Sequence, residues 1–98
     1  MRFTALPEVD GVHLVELTPF SDDRGSFARA FAAEEFEAHG LEPAVVHANL
    51  SSNVRAGTLR GLHRTLPPHP EAKFVRVVRG SIVDVAVDVR PGSPTHLQ

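Results

Sequence analysis

Arg60, His63 and Lys73 are the residues whose types and spacing could do chemistry together. An imidazole with an ordinary pKa near ~6.5 can take a proton and give it back at neutral pH. Such a base works best where a fixed positive charge stabilises the oxyanion that develops on the substrate. His63 is the candidate base, Lys73 the candidate positive charge, and Arg60 a second cation suited to a substrate phosphate. The other five histidines, His13, His39, His47, His69 and His96, have no such company and are read as structural or surface residues. A metal site built from His63, His69 and Glu71 is a poor alternative, because the Pro-rich segment Leu66-Pro67-Pro68-His69-Pro70 would have to place two of three ligands. No metal and no cofactor are expected.

The background is that of an ordinary globular domain. The chain has 98 residues, 42% hydrophobic and 22% charged, with a formal charge of -2, so nothing in bulk argues for nucleic acid as a partner. Residues 55 to 79 differ, with six cations (Arg55, Arg60, Arg64, Lys73, Arg76, Arg79) against the single anion Glu71. That excess fits a solvated strand face, or a phosphate-bearing ligand once the motif around His63 is considered. Without cysteine, disulfides and thiolate catalysis are excluded. The N-terminus lacks the apolar run of a signal peptide, and no apolar run reaches the ~20 residues that span a bilayer, so a cytoplasmic protein without membrane contact is expected.

The elements that must position these side chains read as strands. Val12 to Thr18 is a strand that ends at Pro19, and Ser21-Asp22-Asp23-Arg24-Gly25 has tight-turn chemistry. Ser26 to Phe31 follows as a short strand, then a helix over 32–39 with Gly40 at its C-terminal cap. From Pro43 the pattern predicts strands over 44–53, 58–64, 74–79 and 82–89, the last two forming a hairpin around Gly80. In an unbroken strand Arg60 and His63 would face opposite ways, so a bulge or kink is expected at Gly61. The expectation is an antiparallel all-β fold of one domain, residues 1–98, whose last residues look like the entry to a further strand and suggest truncation at the C-terminus.

In order along the chain, Asp23-Arg24-Gly25-Ser26-Phe27, Asn49-Leu50-Ser51, Gly57-Thr58-Leu59-Arg60-Gly61-Leu62-His63, Lys73 through Arg90, and Gly92-Ser93-Pro94-Thr95 together resemble the dTDP-4-dehydrorhamnose 3,5-epimerase family of rhamnose biosynthesis. That family consists of metal-independent cupins, so the resemblance implies a jelly-roll barrel, here possibly incomplete. Metal-binding cupins carry Gly-x5-His-x-His followed by a Glu; here Gly57 and His63 keep the spacing, while Thr65 and Lys73 stand at ligand positions. An ammonium there would repel a divalent cation and stabilise a bound anion.

The resemblance further implies that His63 is the general base, that Lys73 stabilises the enolate, and that Arg60 and Asn49 line the substrate. It also implies that Arg24 and Phe27 contact the nucleotide of a partner subunit, hence a homodimer. The implied activity is epimerisation of a nucleotide-linked 4-keto-6-deoxy sugar; the competing reading is a non-catalytic sugar-nucleotide binding or assembly module. Four departures stand out. The family's general acid is a tyrosine, and this chain has none. The aspartate that pairs with the base lies in the family's C-terminal half. Arg29 stands where the family usually has a nucleotide-contacting glutamate, and His47 and Ala48 replace the usual Gln and Asp beside Asn49.

Overall fold

Two antiparallel hairpins and one short helix make up the regular structure, as seen in a computed structural model that describes residues 1–67 and 71–98. Strand β1 (Arg2–Ala5) pairs with β2 (His13–Glu16), placing Arg2 opposite Glu16 and Phe3 opposite Val15. An Arg2–Glu16 ion pair closes the open end of this ladder. Strand β3 (Phe20–Asp22) pairs with β4 (Gly25–Phe27), so that Phe20 and Phe27 face each other directly. At the tip, the Arg24 backbone N–H donates to Asp22 Oδ1 at 2.9 Å, the local side-chain bond that makes Asp a turn former.

Helix α1 (Ala33–Ala38) lies inside the predicted span, with Glu34 and Glu35 in its first turn, where the helix dipole favours negative charge. It stops as its glycine dictates. Gly40 takes φ 71°, its N–H donates to Glu37 O at 3.0 Å, and the Leu41 N–H donates to Phe36 O at 2.9 Å, the paired bonds of a Schellman cap. Phe36 is the best-covered side chain of the helix. Its ring meets those of Phe31, Phe74 and Phe3 at centroid distances of 4.7, 5.0 and 5.4 Å, and His39 stacks on Phe3 at 4.1 Å. This aromatic knot ties the first hairpin, the helix and the middle of the chain into one small core.

The all-β class holds, since every strand is antiparallel and the one helix is short, but among the described residues no barrel closes. The strands expected over 44–53, 58–64, 74–79 and 82–89 are the main correction: those residues form no ladder. Likewise β4 ends at Phe27 rather than Phe31, and β1 and β3 are strands that the sequence pattern did not single out. The physical reason is the same throughout. Alternation prepares a strand, but only a neighbouring strand can take up its N–H and C=O groups. With no such neighbour, the apolar side chains of the second half stay open, Val83 at 91% and Leu59 at 89% exposure. The chain exposes 8890 Å², against about 5,500 Å² for a compact protein of this size. No helix among the described residues is long and apolar enough to cross a membrane.

Candidate active site

His63 sits just after the break that the sequence predicted. Gly61 takes φ 107°, in the region glycine tolerates, and the His63 ring folds back against it so closely that a Cβ on Gly61 would lie 3.3 Å from Nδ1. Residues 58–64 form no strand. The imidazole itself is exposed.

Arg60 is held on the other side of this bend. Its Nε donates to Asn53 Oδ1 at 2.6 Å and its Nη2 to the Ser52 carbonyl at 3.5 Å, which fixes the guanidinium against the preceding segment. Asn53 is thus the asparagine that meets Arg60, and Asn49 is exposed. Lys73 Nζ is 3.7 Å from Glu71 Oε1, while the Thr65 hydroxyl donates to Glu71 Oε2 at 3.2 Å. Glu71 thus links the segment that follows His63 to the lysine. His69, the other histidine of the metal alternative, lies outside the described residues. Among the described residues no group of three His, Asp or Glu side chains is placed to hold a metal ion.

Arg24 and Phe27 are brought together in a surface hollow on the β3–β4 hairpin, lined also by Phe20 and Asp22. Arg24 donates through Nη2 to Asp22 Oδ2 at 2.7 Å, and this bond holds the Asp22 carboxyl below its usual range and the guanidinium above its own. A second hollow, lined by Met1, Thr18, Phe20, Phe27 and Arg29, shares the two phenyl rings as a wall. Neither hollow is lined by His63 or Lys73.

The best-organised polar cluster escaped the sequence reading. The Asp88 carboxylate is almost wholly enclosed, its side chain 1% exposed, and accepts from Arg90 Nε and Nη2 at 2.9 Å each and from the Thr95 hydroxyl at 2.7 Å. The Ser93 hydroxyl donates to it as well. Arg90 reaches on to the Asp10 carbonyl at 2.7 Å, and the Asp10 N–H donates to Thr95 Oγ1 at 2.8 Å, fastening the β1–β2 loop to the last residues of the chain. Hydrogen bonds from Arg90, then Ser93 and Thr95, hold the Asp88 carboxyl far below the ordinary carboxylate range. The signal was present as Asp-x-Arg-Pro-Gly-Ser-Pro-Thr, a carboxylate followed by a turn rich in donors.

Residues 7–98 match the family model described as dTDP-4-dehydrorhamnose 3,5-epimerase. A protein named dTDP-4-dehydrorhamnose 3,5-epimerase from Sinorhizobium fredii is 42% identical over 96 residues, which cover 98% of this chain and 49% of that relative. One of the same name from Methanothermobacter thermautotrophicus is 44% identical over 90% of this chain and 46% of its own length. A dTDP-4-dehydrorhamnose 3-epimerase from Streptomyces niveus is 40% identical over 90% of this chain and 42% of its own length. The chain thus spans about half the length of the curated relatives it matches. No solved structure matches it.

Proposed function

The chain belongs to the dTDP-4-dehydrorhamnose 3,5-epimerase family, and from that premise we propose that its protein epimerises a nucleotide-linked 4-keto-6-deoxy sugar, with His63 as base and Lys73 as the charge that receives the enolate. The observation that carries this reading is the match over residues 7–98, which includes Arg60, His63 and Lys73 in their expected order. In the proposed step His63 takes the proton from the carbon next to the ketone, and the C–H electron pair moves into the enolate. The charge that collects on oxygen is met by the Lys73 ammonium. Inversion requires that a proton then return to the opposite face, from a second donor. Arg60, Asn49, Arg24 and Phe27 bind the nucleotide sugar, the last two across the interface of a homodimer in the cytoplasm.

Two arrangements support these roles. The Gly61 bend falls between Arg60 and His63, and Glu71 bridges Thr65 to Lys73 so that the ammonium is tied to the segment that carries the imidazole. The second reading is a module that binds sugar nucleotides without turning them over.

Hydrogen exchange separates the two. In the protein as its gene encodes it, substrate C3 or C5 hydrogen should exchange with deuterium. His63→Ala should abolish that exchange while leaving nucleotide-sugar affinity within about threefold, because a base acts mainly in the transition state. Binding without any exchange in the unsubstituted protein would favour the module, and wild-type exchange in His63→Ala would place the base elsewhere.

A further inference from the structure

Resting on that reading, we infer that Glu71 is a positioning residue for the reaction, which aims the Lys73 ammonium at the enolate oxygen through a relay that begins at the Thr65 hydroxyl. The carboxylate divides its two oxygens between the two neighbours. Thr65 Oγ1 donates to Oε2 at 3.2 Å, while Oε1 lies 3.7 Å from Lys73 Nζ. The hydroxyl thereby fixes the rotation of the carboxylate and leaves its other oxygen for the lysine. At 3.7 Å the second contact is an ion pair and not a hydrogen bond, so Glu71 orients the ammonium without occupying any of its three N–H donors.

A lysine ammonium is a point charge on a flexible four-carbon stem, and holding it in one place takes a partner. Glu71 is the single anion between residues 55 and 79, a stretch with six cations, Lys73 included. It is therefore the one nearby group in the sequence that attracts the ammonium where the others repel it. The main chain at Lys73 is held from the other side. Phe74, the next residue, sets its ring 5.0 Å from Phe36 and 6.4 Å from Phe31, so the root of the lysine is seated at the aromatic core while its tip is held by Glu71. The Lys73 and Glu71 side chains are 54% and 53% exposed, and water screens such a pair until it adds little to folding. Its value lies in orientation, which matters most where charge develops in the transition state.

The test measures kcat, KM and the thermal midpoint of the protein as its gene encodes it, with a nucleotide-linked 4-keto-6-deoxy sugar as substrate and deuterium exchange next to the ketone as the readout. Glu71→Gln keeps an acceptor for Thr65 but turns an uncharged amide toward the ammonium, and should lower kcat about tenfold. Thr65→Val removes only the hydroxyl and should lower kcat about threefold. In both variants KM should stay within about twofold and the thermal midpoint within about 2 °C. If the unsubstituted protein exchanges and Glu71→Gln matches it in kcat, the role of Glu71 is overturned while the epimerase reading stands. The same holds if kcat falls only together with the thermal midpoint, or if the whole effect is on KM. A loss in Glu71→Gln with none in Thr65→Val would overturn the relay. If the unsubstituted protein shows no exchange, the epimerase reading and the role of Glu71 fall together.

Discussion

The clasp around Asp88 and the segment around His63 are built to different standards. In the clasp one enclosed carboxylate collects donors from Arg90, Ser93 and Thr95, and Arg90 and Thr95 reach back to Asp10. At His63 the side chain is exposed, and its neighbours Arg60 and Lys73 are each held by a different partner, Asn53 and Glu71. The clasp is finished within these residues, because everything it needs lies at the two ends of the chain. The candidate site is a set of prepared parts. Its residues are positioned locally, by a glycine bend and by short side-chain bonds, on segments whose backbone groups pair with no neighbouring strand.

Three substitutions would break or sharpen that contrast. The largest loss is expected from Phe36→Ala, since Phe36 is 4% exposed and joins Phe3, Phe31 and Phe74. Removing such a ring costs about 3–5 kcal/mol, which should shift the denaturant midpoint strongly or unfold the chain outright. A midpoint near wild type would mean that the aromatic knot is not the core.

Next comes Asp88→Asn, which leaves the donors of Arg90, Ser93 and Thr95 sharing a neutral and weaker acceptor. The sign of its pH dependence follows from linkage. The folded-state pKa lies below the unfolded value, so Asp88 stabilises the fold fully above about pH 4–5, and that contribution is lost as pH falls further. The variant should therefore be less stable at neutral pH and should lose less than wild type on acidification. A parallel loss in both proteins would show that the clasp does not carry the acid response.

The smallest of the three is Gly61→Ala. At φ 107° a Cβ is strained, and it would press on the His63 ring, so about 1–2 kcal/mol is expected together with a displaced imidazole. The readout is the His63 ring resonances by NMR. Unchanged resonances would mean that the bend does not place the imidazole.

Much of the local structure was legible in the sequence. The turn before Gly25, the helix ending at Gly40 and the break at Gly61 all follow from residues whose own backbone preferences decide the matter, within a few positions of one another. Other parts were not. The strands expected after Pro43 do not pair, and the enclosure of Asp88 among Arg90, Ser93 and Thr95 was not foreseen.

The amino-acid sequence by itself determined the family, the candidate acid–base chemistry and the bends that serve it, because each is written in residue type and short spacing. Only the tertiary structure decided which strands have partners and which carboxylate is enclosed. Those outcomes depend on groups up to 85 residues apart meeting in space. Hydrogen bonding and burial are satisfied by neighbours in space, and alternation along a chain does not say which neighbours will arrive.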